Sequence, residues 1–134
     1  MDRVVKIYTD GCSRGNPGPS GIGILIVDNN GKEIERISEY IGKTTNNVAE
    51  YKAILRAVSE CESRKIDKVI FFTDSELIVN QLNKSYKIKD EKLKILYVKL
   101  LNKLINFRNW SIKHIPREDN KIADSLANQA LKKK

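Results

Sequence analysis

A single histidine, His114, and two cysteines, Cys12 and Cys61, are the only imidazole and thiol groups in the 134 residues. They are too few for the Cys/His quartet of a structural zinc site. The two cysteines carry no spacing signature, so a disulfide between them is allowed but not implied. Apolar runs are short, and none approaches the roughly 20 residues that a membrane span needs. Met1-Asp2-Arg3 leads into an alternating segment without the apolar stretch of a secretory signal, so a soluble cytoplasmic protein is expected. Acids are outnumbered, 17 against 25 basic residues, and the net charge of +8 suits a polyanionic partner such as nucleic acid. The length predicts one domain over residues 1–134.

Proline is scarce, and two of the three prolines fall with four of the seven glycines between Gly11 and Gly21, which predicts a tight loop. Before it, Val4 to Thr9 alternates as a strand should and ends at Asp10. After it, the apolar run Ile22 to Val27 meets Lys32 to Tyr40 across Asn29-Asn30-Gly31, a hairpin signal. Asn47 is read as the cap of a helix with Glu50 three residues on and a stripe of Ala49, Ala53, Ile54, Ala57, Val58 and Cys61. Val69 to Thr73 is a β-branched and aromatic strand ending at Asp74, and Ser75 to Leu82 a short helix. Asp90 to Ile105 carries Leu93, Leu96, Leu100, Leu101 and Leu104 at helical spacing. Asn109 to Ile115 is a fifth strand stopped by Pro116, and Asp119 opens a last helix with Ile122, Ala123, Leu126, Ala127 and Ala130 on its apolar face. The order β-β-β-α-β-α-α-β-α predicts an α/β fold, a mixed sheet with helices on its faces and a basic tail, Lys132-Lys133-Lys134, beyond them.

Four acids in this basic chain fall at predicted strand ends or helix starts: Asp10, Glu50, Asp74 and Asp124. Each has an ordinary explanation. Asp10 can start a turn, Asp74 can cap the helix after it, Glu50 can complete a capping box, and Asp124 can complement a helix dipole. Glu50, however, lies in line with Ile54, Ala57 and Cys61 on the inward face of its helix. Asp10 and Asp74 end neighbouring strands, the usual crevice of an open α/β sheet. Acids drawn together from distant segments repel one another unless a cation compensates them. An acid-only set prefers hard cations, so magnesium or manganese is expected, and a pair of such ions is suited to phosphodiester hydrolysis.

The motifs Thr9-Asp10-Gly11, Gly15-Asn16-Pro17-Gly18, Thr45-Asn46-Asn47-Val48-Ala49-Glu50, Thr73-Asp74-Ser75 and Ala123-Asp124 with Leu126-Ala127 resemble those of type 1 ribonuclease H over nearly the whole chain. The resemblance implies a ribonuclease H-like fold with a five-stranded mixed sheet, three antiparallel strands followed by two parallel ones. It implies Asp10, Glu50, Asp74 and Asp124 as catalytic and metal-binding acids that hold two Mg²⁺, with Mn²⁺ as a substitute. The reaction would be endonucleolytic cleavage of the RNA strand of an RNA/DNA hybrid, leaving 5'-phosphate and 3'-hydroxyl ends. Gly11, Cys12, Asn16, Thr45, Asn46, Asn47 and Ser75 match positions that touch substrate, and His114 matches a histidine that assists product release.

Two features mark a compact form similar to archaeal-like members. The basic protrusion found in other members is reduced here to Asn83 to Lys89. The loop before the last acid is His114-Ile115-Pro116-Arg117-Glu118-Asp119-Asn120, where Arg117 or Glu118 could stand in for the histidine. Position 76 is Glu where many relatives carry a neutral side chain. The other readings are a ribonuclease H-fold nuclease of broader range, including double-stranded RNA, and a catalytically weak hybrid-binding module. No obligate protein partner is evident, and a monomer is expected.

Overall fold

The computed structural model describes residues 4–84 and 87–132. Met1–Arg3, Ser85 and Tyr86 of the Asn83–Lys89 connection, and Lys133–Lys134 of the basic tail lie outside the described residues. Strands β1 (Val5–Ser13), β2 (Gly18–Val27), β3 (Glu33–Thr44), β4 (Lys68–Thr73) and β5 (Asn109–His114) form one sheet in the order β3-β2-β1-β4-β5. β1, β2 and β3 pair antiparallel, whereas β4 runs parallel to both β1 and β5. Helices α1 (Asn46–Ser63), α2 (Glu76–Lys84), α3 (Glu91–Leu104) and α4 (Lys121–Leu131) complete the predicted order.

The strand patterns explain the layering. β1 alternates, with Val5 and Ile7 buried and Lys6 exposed between them. β2 is apolar without a break from Gly21 to Val27 because nearly all of it is covered on both faces. Ile22, Ile24 and Ile26 join the main core with Tyr51, Ile54 and Val58 of α1 and Leu100 and Leu104 of α3. The opposite face of β1 and β2 is covered by α4.

Both helix contacts are backbone-close. A Cβ built on Gly11 would lie 2.4 Å from the Ala49 carbonyl carbon of α1, and one on Gly23 would lie 2.1 Å from the Ala123 carbonyl oxygen of α4. Gly11 pairs with Ile22 and Asp10 with Gly23, so these two approaches are on opposite faces of adjacent residue pairs. The helices that carry Glu50 and Asp124 thus clamp the same stretch of β1.

Several boundaries differ from the sequence expectation. β1 does not stop at Thr9; it continues to Ser13, because β2 begins at Gly18 and pairs with it through Ser13↔Ser20. The loop expected over residues 11–21 is therefore confined to the tip, and β3 likewise runs to Thr44 instead of Tyr40. The hairpin turn is where Asn29-Asn30-Gly31 predicts it. The Asp28 carboxylate closes it, accepting from the backbone N–H groups of Asn30 and Lys32 at 2.9 Å each.

Thr45, not Asn47, caps α1, its hydroxyl accepting from the Val48 N–H at 3.3 Å. A 3₁₀ turn, Arg117–Asp119, comes before α4, which starts at Lys121 instead of Asp119. Ile122, read as part of that helix's apolar face, is exposed. In α3, Leu93, Leu100 and Leu104 are buried, while Leu96 and Leu101 are only partly covered.

Candidate active site

Where β4 ends at Thr73, its neighbour β1 continues along β2. The pairing of β1 with β4 stops at Tyr8↔Phe72. That divergence opens a cleft of about 150 Å³ at the carboxyl end of β4, lined by Asp10, Gly11, Cys12, Asn46, Glu50, Asp74, Arg117 and Asp124. Carboxylate oxygens of Asp10, Glu50 and Asp74 all lie within 4.8 Å of one another. Asp10 and Glu50 are buried and Asp74 is half-buried. Asp124 reaches the same cleft from α4, half-buried, with its Oδ1 3.3 Å from the Asn128 amide and 3.9 Å from the Arg117 guanidinium.

The ordinary explanations fit these acids poorly. Asp10 starts no turn but lies inside a strand, opposite Gly23. Asp74 is not the side-chain cap of α2, since that part falls to Ser75, whose hydroxyl accepts from the Ile78 N–H at 3.3 Å. Glu50 closes no capping box: its carboxylate accepts from the backbone N–H of Gly11 across the sheet–helix contact. That bond fixes Glu50 beside Asp10, because Gly11 is the next residue of β1. Asp124 does stand in the first turn of α4, where the helix dipole favours it, but it also faces the cleft.

The cleft is strained electrostatically. Burial is the largest influence on Asp10 and holds its carboxyl far above the usual carboxylate range; Glu50, Asp74 and Asp124 push the same way. Glu50 is raised too, chiefly by burial, with the Gly11 N–H pulling against it. The Cys12 thiol is raised by burial and then by Asp10. Oxygen-only donors whose charge is held back by burial and mutual repulsion are a fit for a small divalent cation, which relieves both.

Of the residues expected to touch substrate, Gly11, Cys12 and Asn46 line the cleft, whereas Asn16, Thr45, Asn47 and Ser75 are not among its lining residues. The Ser13 N–H donates to Asn46 Oδ1 at 3.1 Å and the Asn46 N–H donates to Asn16 Oδ1 at 3.0 Å, which ties the β1–β2 tip to the start of α1. Asn46 and Asn47 are on that first turn, and Cys12 is half-buried at the cleft wall. Both cysteines are free thiols, with Cys61 in the core.

His114 is not among the cleft-lining residues. It ends β5 opposite Thr73, exposed, with Nε2 4.0 Å from Oε1 of Glu76. Arg117, suggested by the sequence only as a stand-in for the histidine, is in the cleft wall itself. Asn128 does not line the cleft but donates to the Asp124 carboxylate, a role the sequence reading missed; its position four residues after Asp124, one helical turn on, was the available signal.

An open α/β sheet with clustered carboxylates from separate elements at a carboxyl-end crevice defines an acid-lined site of the kind that takes divalent metal. A family model described as reverse transcriptase-like matches residues 8–130. A ribonuclease HI of Halobacterium salinarum is 39% identical over 127 residues, covering 95% of this chain and 64% of the relative. The crystal structure of the RNase H1 of that halophilic archaeon matches with a TM-score of 0.94 at 37% identity, over 98% of this chain and 99% of that one. The LC11 RNase H1, solved in complex with an RNA/DNA hybrid, matches with a TM-score of 0.91 at 44% identity, over 96% and 97% of the two chains. A bifunctional protein of Mycobacterium tuberculosis is 34% identical over 95% of this chain, which spans only 35% of it. The chain belongs to the ribonuclease H family, in its type 1 branch. It spans about two thirds of the Halobacterium relative's length and about a third of the mycobacterial one's. Among the described residues no helix is long and apolar enough to cross a membrane.

Proposed function

We propose that the chain is an endonuclease that hydrolyses the RNA strand of RNA/DNA hybrids with two bound Mg²⁺ ions, Mn²⁺ serving as a substitute, and leaves 5'-phosphate and 3'-hydroxyl ends. The observation that carries this reading is the approach of Asp10, Glu50 and Asp74, from three separate elements, to within 4.8 Å in a chain of net charge +8. Membership in a family one of whose members was solved with a hybrid bound supports the substrate. The reading takes the protein as a monomer, and the two free thiols suit a reducing compartment such as the cytoplasm.

Asp10, Glu50, Asp74 and Asp124 would hold the metal. When bound, the two ions supply an activated water and stabilise the departing 3'-oxygen. The chain's own part is positional. The Gly11 N–H aims Glu50, β1 aims Asp10, the end of β4 aims Asp74, and α4 aims Asp124. Selection of RNA over DNA needs neutral groups that meet 2'-hydroxyls across a minor groove. Asn46, Asn47, Asn16, Ser75 and the backbone of Gly11 and Cys12 have that chemistry, and Thr45 with Asn46 can take a phosphate of the DNA strand. The hydroxyls of Thr45 and Ser75 accept from helix amides, so their own protons point to other acceptors.

The test is cleavage of one end-labelled sequence presented as RNA/DNA hybrid, double-stranded RNA, single-stranded RNA and duplex DNA, each with Mg²⁺, Mn²⁺ or EDTA. Loss of the hybrid's RNA strand only, abolished by EDTA, is the expected result. Comparable cutting of double-stranded RNA would assign a broader nuclease, and hybrid binding without cutting a reader module. His114, at the end of β5 and outside the cleft lining, is the residue that would assist product departure. His114→Ala should lower kcat a few-fold and leave metal binding alone; an unchanged kcat would make the residue a strand end and nothing more.

A further inference from the structure

Asn120 is 1% exposed, next to the 3₁₀ turn that leads into α4, and it is tied to three places at once. Its side-chain amide donates to the Thr9 carbonyl of β1 at 2.9 Å, across 111 residues of sequence. Its own carbonyl accepts from the Asp124 N–H at 3.0 Å, and its N–H donates to the Arg117 carbonyl at 3.0 Å. Thr9 immediately precedes Asp10, and Asp124 and Arg117 both line the cleft. The bond to Thr9 falls one residue beyond Tyr8↔Phe72, the last pairing of β1 with β4, so β1 is held from that point by α4's leading residue.

The other half of the same amide is left over: Asn120 Oδ1 is buried and has no hydrogen-bond partner among the described residues. A buried orphan acceptor is unfavourable, and an apolar side chain of similar shape would avoid it. Packing therefore does not explain an asparagine here, whereas a directed donor toward Thr9 does. We propose that Asn120 is a positioning residue that sets the distance between Asp10 on β1 and Asp124 on α4, and so tunes metal affinity without touching metal or substrate. The proposal rests on the functional reading above for its catalytic consequence, but not for its metal consequence.

Asn120→Leu keeps the branched outline, with bulkier methyl groups, and removes both the donor and the orphan oxygen, and Asn120→Ala removes the donor without adding bulk. Mn²⁺ binding, followed by calorimetry and by electron paramagnetic resonance without nucleic acid, should weaken about tenfold or more in both. On hybrid, kcat at fixed metal should fall at least tenfold with KM within about threefold, and raised metal should recover part of the loss. Leu131→Ala, a core truncation at the far end of α4, supplies the comparison: it should lower Tm without moving Mn²⁺ affinity. Unchanged metal affinity in a folded Asn120 variant would overturn the proposal. So would equal weakening by Leu131→Ala, or failure of both Asn120 variants to fold cooperatively, because the residue would then be structural alone. If the parent protein binds Mn²⁺ but cuts no hybrid, the functional reading fails, while the metal titrations still decide the role of Asn120.

Discussion

Asp10→Asn is expected to lower cleavage of the hybrid at least about 10³-fold, the several kcal/mol that metal-ion stabilisation of a transition state supplies, while making the metal-free fold more stable. Both effects come from the same geometry. In the absence of a cation, Asp10 is buried among Glu50, Asp74 and Asp124, and its carboxyl is raised to about 9, that of Glu50 to about 8. An acid raised in this way keeps its proton in the folded state at pH values where the unfolded chain, titrating at about 4, has already lost it. Its favourable contribution is complete below that unfolded value and is lost as pH climbs through about 8 to 9. Metal-free stability should therefore decline from about pH 4 up to about pH 9.

The amide that Asp10→Asn introduces cannot ionise, so the variant's advantage over the parent should be small near pH 4 and grow to the order of 2 kcal/mol near pH 9. Mg²⁺ should reverse the ranking by stabilising the parent more strongly. Urea unfolding in EDTA and in Mg²⁺ at pH 5, 7 and 9 reads all of this. A variant less stable than the parent at pH 9 in EDTA, or one that still cuts hybrid normally, would refute the proposed metal site.

Gly11→Ala should be the most damaging single methyl group near the cleft. Its Cβ would stand 2.4 Å from the Ala49 carbonyl carbon and 2.6 Å from the Glu50 amide nitrogen, both backbone atoms of α1 that cannot rotate aside. The first turns of α1 must move off β1, which breaks the bond from the Gly11 N–H to Glu50 and carries that carboxylate away from Asp10. A destabilisation of about 2–4 kcal/mol is expected, together with a loss of hybrid cleavage of about 100-fold in the fraction that remains folded. Gly31→Ala serves as the contrast. It strains a residue at φ +84° but meets nothing within 4 Å, so it should cost about 1 kcal/mol and leave kcat unchanged. Denaturant midpoints with kcat on the folded proteins check the pair; a Gly11→Ala protein as stable and active as its parent would mean that α1 is not seated by this contact.

Periodicity was enough for the element order, because each amphipathic stripe and turn signal is local. The run from Asn47 to Cys61, the Asn29-Asn30-Gly31 turn and the leucines of α3 all sit where their spacing predicts. It failed at the ends of β1, β2 and β3. Gly11, Gly18 and Gly21 read as loop residues by composition, yet they are strand residues that leave room for helix backbone or a neighbouring loop. Helix caps were misplaced for a similar reason: Thr45 and Asn47 are both good caps by type, and only the end of β3 at Thr44 selects Thr45.

The acids themselves were legible as chemistry, since Asp10, Glu50, Asp74 and Asp124 are oxygen ligands at element ends in an otherwise basic chain. Their convergence was not a property of any one segment. It required β1 to outrun β4, α1 and α4 to press on opposite faces of adjacent residue pairs, and Gly11 to hand its N–H to Glu50. The same holds for Arg117 in the cleft wall and for Asn120 bonded to Thr9. By itself the sequence determined the order of elements, the layers and the kind of ligand, because hydrophobic period, turn chemistry and side-chain type are carried residue by residue. Only the tertiary structure decided which groups share a site and at what distance, because those depend on contacts between segments far apart in the chain.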